Sequence, residues 1–399
     1  MAGATSESLG NLQLHDLSTY QPETLGRCTA CVLPRTLRGI EFDAQGRCGV
    51  CRAGPAASVQ HKSDDRPPVS LADWLADIRA RAAGCSHDCV VGLSGGRDST
   101  YLLYKLAREH GLRCLVVYYR TPFTSDVIDA NVRRAVKIVG ATLVEADISQ
   151  AHHVRVARDC TLLWRRHPTS ELINLSCAVC KLVHRELFRV ARDHRVPTIV
   201  LGGTKHEEVQ FLPAYTASDE TAAAHSFMAQ GRKMLRVFQR GMSLLLKCPR
   251  VLRHVPVGAK AALLYITPHT NYLQLRYRDV QCVDYFFLMD YDEAQCMDII
   301  RRELGWERPP DCITDWRADC SFAELKNFMF LKTMGASYTD AYVANVVRSG
   351  EITRAQALER LAHDAQIAWG RIRHAAEVLE LPPDFFDGGE YARVTQAKP

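Results

Sequence analysis

Residues 94–99 read Ser-Gly-Gly-Arg-Asp-Ser and carry the clearest chemical signal in the sequence. They follow an apolar run, Cys89–Leu93, and lead into a segment with helical patterning, Asp98–His110. Glycines let a backbone approach phosphate oxygens, and hydroxyls and the free amides of a helix start donate hydrogen bonds to them. A polar strand-to-helix turn with a capping residue is the alternative interpretation. The sequence has no Walker motif and no G-x-G-x-x-G, which argues against a Walker-type ATPase and a dinucleotide-binding fold.

Two C-x-x-C pairs lie near the N-terminus, Cys28 with Cys31 and Cys48 with Cys51. Their spacing fits a pattern in which four thiolates hold Zn²⁺ tetrahedrally. A segment this short buries little apolar surface, so the metal would supply its folding free energy. A site with four protein ligands has no open position, which predicts a structural role. Free or redox-active thiols are the alternative.

A third C-x-x-C pair, Cys177 and Cys180, stands at the start of a helix predicted over 179–193. A helix N-terminus favours thiolate over thiol, so the pair could bind a metal or an iron–sulfur cluster. A buried pair in which cysteine packs as a small hydrophobe is the alternative. In order of preference, the candidates for a third ligand are Cys320, then Cys248 and Cys312.

The composition excludes several classes of protein. The chain has 399 residues, and 50 basic against 45 acidic side chains give a net charge of +5 spread along the sequence. That balance does not indicate nucleic-acid binding, although it leaves anionic small-molecule substrates open. No apolar run reaches the roughly 18 residues of a membrane span. The first residues lack a signal peptide, so we expect a cytoplasmic protein whose 15 cysteines are reduced.

Strands and helices alternate in the middle of the chain, which predicts an α/β fold with a doubly wound parallel sheet. Apolar runs predict strands at Cys89–Leu93, Leu112–Tyr119, Thr142–Val144 and Thr198–Leu201. Helical periodicity predicts a helix from Leu71 and further helices at Asp98–His110, Asp126–Val139, Val179–Asp193, Asp292–Leu304, Phe322–Met334, Thr339–Arg348 and Arg354–Ala368.

These patterns divide the chain into five regions. We predict a flexible arm over 1–25, a zinc-ribbon-like module over 26–54, a Pro- and Ser-rich linker over 55–70, a nucleotide-binding domain over 71–215 and a mostly helical region over 216–399.

The Ser-Gly-Gly-x-Asp-Ser loop after the first strand resembles the PP-loop of the ATP-pyrophosphatase (adenine nucleotide α-hydrolase-like) superfamily. Members cleave ATP to AMP and pyrophosphate and adenylate a carbonyl oxygen. The resemblance implies that Ser94, Gly95, Gly96, Arg97, Asp98 and Ser99 form the loop that holds pyrophosphate and Mg²⁺, with Asp98 and Ser99 as the catalytic residues. It also implies that Gly202 and Gly203 make a second nucleotide-contacting turn. After that turn, His206, Glu207 and Glu208 are candidate acid–base or metal-binding groups, with a plain loop as the alternative.

A closer resemblance extends from Cys28 to about Leu361. The motifs C-x-x-C-V-x-P, I-E-F-D-x-x-G-x-C-x-x-C, the PP-loop, R-R-E-L-G-W and R-S-G-E-I-T-R occur in that order. This order is similar to the N-acetyl sugar amidotransferases of surface-polysaccharide biosynthesis. The resemblance implies adenylation of an N-acetyl amide on a nucleotide-linked sugar and displacement of AMP by ammonia. The chain has no glutaminase motif, so a separate glutaminase subunit is implied.

The pair Cys177 and Cys180 departs from that family and resembles the C-x-x-C of PP-loop tRNA thiolases. There such a pair and a third cysteine, here Cys320, hold a 4Fe–4S cluster. The second hypothesis is therefore sulfur transfer to a tRNA base or a small-molecule amide, and the modest charge argues against tRNA. A third is a non-catalytic zinc-ribbon interaction protein, which the intact loop disfavours.

Overall fold

The fold is described from a computed structural model. It covers residues 14–17, 20–38, 40–53, 70–204, 206, 242, 244–246, 248–265, 273, 276–287, 289 and 291–396. The predicted linker, apart from Ser70, lies outside these residues, as do Glu207 and Glu208.

Five parallel strands form one sheet in the order β3-β2-β1-β4-β5. The strands are β1 (Cys89–Gly92), β2 (Cys114–Tyr118), β3 (Thr142–Glu145), β4 (Thr198–Leu201) and β5 (Gln281–Asp284). The first four match the predicted strands, which confirms the predicted fold class. Strand β5 was not predicted, because its four residues include only two apolar ones and all four are half-buried at the sheet edge. The sheet thus takes one strand from the region assigned as mostly helical.

Thirteen α-helices of six residues or more are found in the described residues. They are α1 (Leu71–Arg81), α2 (Arg97–Tyr104), α3 (Asp126–Val139), α4 (Gln150–Arg166), α5 (Ser170–Leu175), α6 (Val183–Asp193), α7 (Val255–Tyr265), α8 (Glu293–Leu304), α9 (Phe322–Met334), α10 (Tyr338–Arg348), α11 (Arg354–Asp364), α12 (Trp369–Val378) and α13 (Gly388–Gln396). Helices α3 and α9 have the predicted bounds, whereas α4, α5, α7, α12 and α13 were not predicted.

Helices cover both faces of the sheet, as a doubly wound fold requires. On one face, Val91 and Val116 pack with Leu102 of α2 and Ile300 of α8. On the other face, Val90, Leu115 and Ile199 pack with Leu187 and Val190 of α6. Successive strand residues point to opposite faces, so the continuous apolar runs of β1 and β2 supply both cores.

A further hydrophobic core joins the N-terminal cysteine segment to the helical region. It contains Leu33, Trp164 of α4, Phe328 of α9 and Ile372 of α12. Leu17, in the region predicted as an arm, belongs to the same core and is 2% exposed. Within the described residues, no helix is both long enough and apolar enough to cross a membrane.

Candidate active site

The Ser94–Ser99 loop lies at the carboxyl end of β1, where the strand order reverses between β2 and β4. Open α/β sheets bind ligands in the crevice at such a switch point. Gly202 and Gly203 follow β4 and reach the same crevice, since a Cβ added at Gly202 would lie 3.5 Å from the backbone oxygen of Asp98. The topology therefore brings together the two turns that the sequence predicts for nucleotide contact.

Gly95 makes the tight turn of the loop. Its φ is +85°, and a Cβ there would lie 2.6 Å from Ile128 and 2.8 Å from Val132, both on α3. The carbonyl of Gly95 accepts a hydrogen bond from Trp306 Nε1 at 3.0 Å. The position needs glycine for both its backbone angle and its space, and the path of the loop is fixed by α3 and an indole.

Two serine hydroxyls meet within the loop. Ser94 Oγ and Ser99 Oγ are 3.2 Å apart, and Ser99 Oγ also accepts from the Ser94 backbone N–H at 3.2 Å. The Gly96 N–H donates to Ser94 Oγ at 3.3 Å. Gly96 is the residue before α2, so the amides of the first turn of α2 lack intrahelical partners. Hydroxyls and amides of this kind bind phosphate oxygens.

Arg97 is nearly fully buried, and its side chain joins the loop to distant segments. Its Nε donates to Asp98 Oδ1 at 2.9 Å, and its Nη1 donates to Glu293 at the start of α8. Tyr291 donates its hydroxyl proton to the same Asp98 oxygen. Arg360 of α11 donates to both oxygens of Glu293, at 2.9 and 3.0 Å. We call these five residues the Asp98 network.

The charges of the Asp98 network balance one another. Burial alone would raise the pKa of Glu293, but Arg97 and Arg360 outweigh burial and hold that pKa below its ordinary value. Sequence reasoning missed Tyr291, Glu293 and Arg360, since Tyr291 and Glu293 lie 193 and 196 residues from their partners. A buried arginine requires a buried anion as its partner, but the sequence does not identify which acidic residue that is.

Asp319 reaches the loop from the C-terminal half of the chain. A Cβ added at Gly96 would lie 3.3 Å from Asp319 Cγ. Two residues on, the Ser321 N–H donates to the backbone oxygen of Phe123, in the connection after β2, at 3.1 Å. The segment 319–321 therefore runs beside the loop, and it carries Cys320.

Cys177, Cys180 and Cys320 are electrostatic neighbours. Burial, together with Asp319, Cys177 and Cys180, raises the pKa of Cys320 to about 12. Burial likewise raises the pKa of Cys180 to about 11. The prediction that a helix start favours thiolate here was wrong, because α6 begins only at Val183 and Cys180 lies in a preceding 3₁₀ turn.

Among the described residues, Cys177, Cys180 and Cys320 do not form a group whose sulfurs all lie within 4.8 Å of one another. The structure places the three in one neighbourhood without assembling a compact metal site. Their role as cluster ligands stays a prediction.

The four N-terminal cysteines do form such a group. Their sulfurs all lie within 4.8 Å of one another, with Cys28 and Cys51 4.0 Å apart and Cys31 and Cys48 3.8 Å apart. Tetrahedral Zn–S bonds of about 2.3 Å require sulfur separations of about 3.8 Å. The donor set and its spacing fit Zn²⁺.

Backbone amides and neighbouring thiols prepare Cys28 to act as a thiolate ligand. The N–H groups of Ala30, Cys31 and Cys48 point to Cys28 Sγ at 3.4, 3.4 and 3.2 Å. Hydrogen bonding with the Cys31, Cys48 and Cys51 thiols lowers the pKa of Cys28. Donors gathered around one sulfur are the outer contacts that stabilise a metal-bound thiolate.

The cysteine segment is held against α10 and α11 by arginines. Arg27 donates to Asp340 at 2.7 Å in a fully buried ion pair. Arg354, at the start of α11, donates to the backbone oxygens of Cys28 and Cys31 at 2.9 and 3.1 Å. Helix α11 also carries Arg360, so one helix contacts both the cysteine segment and the Asp98 network.

His206 is buried and lies with its Nε2 2.9 Å from Glu351 Oε1, in the turn between α10 and α11. Its backbone oxygen accepts from Asn345 at 2.9 Å. The histidine therefore connects the turn after β4 to the helical region.

Comparison with known proteins yields little. No family model matches the chain, and no curated protein matches it. Among solved structures, NMN synthetase from Francisella tularensis is similar over 34% of this chain and 53% of its own, with 19% identity and a TM-score of 0.26. The match thus spans about half of that enzyme, and a similarity this low says nothing about activity.

Proposed function

We propose that the protein cleaves ATP to AMP and pyrophosphate and uses the AMP to activate a carbonyl or amide oxygen. The observation that carries the proposal is the Ser94–Ser99 loop at the switch point, where two hydroxyls and a helix start converge without a Walker lysine. Such a short loop suits a pyrophosphate leaving group, because its donors gather around a compact anion.

The proposed roles follow from the positions of the loop residues. Ser94, Ser99 and the amides of the first turn of α2 would donate to pyrophosphate oxygens, and Gly202 would border the nucleotide. Asp98 fits a metal ligand, since hydrogen bonds hold its Oδ1 and none from the described residues reaches its Oδ2. Mg²⁺ bound there would neutralise charge that develops on the leaving pyrophosphate.

For the acceptor we propose the amide of an N-acetyl sugar carried on a nucleotide. The amide oxygen attacks the α-phosphorus and pyrophosphate leaves; ammonia then attacks the amide carbon, and AMP and a proton leave to give an amidine. The support is the order of motifs from Cys28 onward. The ammonia would come from a separate glutaminase, and the 15 free thiols suit a reducing cytoplasm.

Sulfur transfer is the second candidate, and one observation favours it. Asp319 lies against Gly96, so the next residue, Cys320, stands close to the proposed adenylation site, with Cys177 and Cys180 as neighbours. These three cysteines would hold a cluster with one iron open to externally supplied sulfide, which would replace AMP on the activated carbon as ammonia does in amidotransfer.

Two measurements test these proposals. Phosphorus NMR of a reaction with ATP should show AMP and pyrophosphate, whereas ADP and phosphate would refute the reaction class. Metal and acid-labile sulfide are then measured after anaerobic purification. Zinc alone, at one per chain, favours amidotransfer, and iron with sulfide favours sulfur transfer.

A further inference from the structure

We infer that Tyr291, Arg97 and Glu293 are positioning residues that fix the Asp98 carboxylate so that its Oδ2 stays open to a divalent cation. The inference rests on the proposed function and goes beyond it, because it assigns a task to Arg97 and to two residues outside the loop. The observation behind it is that two donors from different segments meet on one oxygen, Asp98 Oδ1.

The tyrosine hydroxyl is held in place by aromatic packing. The Tyr291 ring lies edge-on to Phe286, with ring centres 4.9 Å apart, and edge-on to Tyr101 at 6.4 Å. The guanidinium of Arg97 lies 5.8 Å from the centre of the same ring.

Glu293 holds the guanidinium of Arg97 through its Nη1. An arginine beside a carboxylate often donates two parallel hydrogen bonds and so occupies both carboxylate oxygens. Here Nη1 is taken by Glu293, and Arg97 reaches Asp98 through Nε alone. Arg360 donates to both oxygens of Glu293 and so holds this acid beside Arg97. Arg97 Nη2 is buried without a hydrogen-bond partner, and Asp98 Oδ2 has no donor among the described residues.

A cation-binding measurement tests this without turnover. Mn²⁺ is titrated by electron paramagnetic resonance in the presence of α,β-methylene ATP, which cannot be cleaved between its α and β phosphates. Tyr291→Phe should weaken Mn²⁺ binding by about tenfold, the usual effect of losing a hydrogen bond to a charged group. Tyr285→Phe is the matched control, because this buried tyrosine bonds to His110 at 2.7 Å and not to the loop.

A second variant, Glu293→Gln, tests the same inference if Tyr291→Phe does not fold. Glu293→Gln should hold Arg97 less firmly, because a neutral amide binds a guanidinium more weakly than a carboxylate does, and should also weaken Mn²⁺ binding with Tyr291 in place. Wild-type affinity in either folded variant, with Asp98→Asn unable to bind Mn²⁺, would overturn the inference. If the wild-type protein itself binds no Mn²⁺–nucleotide, the proposed function is wrong. If the wild type binds it and the folded variants bind it equally well, only the inference is wrong.

Discussion

Arg348 donates a hydrogen bond from Nη1 to the sulfur of Cys31, 3.2 Å away. The two residues stand 317 positions apart, at the end of α10 and in the first C-x-x-C pair. A guanidinium beside this sulfur would offset part of the negative charge that four thiolates would bring to a bound Zn²⁺. A positive charge from the helical region thus lies against the cysteine group.

Replacing Arg348 should lower the affinity of the four-cysteine group for Zn²⁺. We expect Arg348→Met to weaken Zn²⁺ binding by about tenfold, the usual effect of removing an outer contact to a ligand. Chelator competition followed by absorbance measures the affinity. Arg302→Met, on the exposed surface of α8, is the matched control and should bind zinc as the wild type does. Cys28→Ser should lose the metal altogether, and full zinc retention in that variant would disprove the four-thiolate assignment.

Asp98→Ala and Ser99→Ala should each lower AMP formation by about 10²- to 10³-fold, because each removes a contact to charge that develops in the transition state. Release of pyrophosphate is the readout, and thermal melting confirms that the variants fold. Ser86→Ala, at an exposed serine that bonds only to His87 among the described residues, serves as control. A normal rate in Asp98→Ala would place the chemistry elsewhere.

Gly95→Ala and Gly84→Ala separate backbone strain from crowding. Both glycines have positive φ, +85° and +80°, but an added Cβ at Gly84 meets nothing within 4 Å. Gly84→Ala should cost about 1 kcal/mol of unfolding free energy. Gly95→Ala should cost about 1–3 kcal/mol more, because Ile128 and Val132 must move. Urea unfolding gives both values, and equal losses would contradict the close packing of α3 on the loop.

His153 should make stability depend on pH. Burial lowers the pKa of His153 to about 4, against an ordinary value of 6.5. Between these two pKa values His153 is protonated in the unfolded chain but neutral in the folded chain. The free energy of unfolding therefore decreases as pH falls from about 6.5 to about 4. From pH 7 to pH 5 the loss through this residue is about 2 kcal/mol.

Urea unfolding of wild type and His153→Gln at the two pH values checks this. The variant should lose about 2 kcal/mol less than the wild type on acidification. His363→Gln, on an exposed side chain of α11, should behave as the wild type does. If the free energy of unfolding changes equally with pH in wild type and His153→Gln, the pKa of His153 is not lowered in the folded state.

Local patterns predicted the parts of the fold that depend on neighbouring residues. Strands β1 and β2 are apolar throughout, and α3 begins at a capping Ser125 and ends at Gly140 in the left-handed conformation. The cysteine group followed from spacing alone. Helix α4 was missed because its buried side includes His153 and Thr161, and polar residues there obscure the apolar periodicity.

The Asp98 network could not be predicted, because it depends on which distant charges the tertiary fold brings to Arg97. Nothing local marks Glu293 as its partner, since an acidic residue in the first turn of a helix is common for reasons of the helix dipole alone. Similarly, β5 is defined by its pairing with β4 and not by its own four residues.

The position of Arg97 in the chain also has a consequence for biosynthesis. Its acidic partner Glu293 and the Tyr291 that shares Asp98 emerge from the ribosome about two hundred residues after the loop does. Until then a nascent chain could pair β1 with β2 but would leave Arg97 without Glu293 and Asp98 without Tyr291. The proposed ATP cleavage should therefore begin only after this later segment has been made, and a chain cut between β4 and β5 should regain activity only when both pieces are produced together.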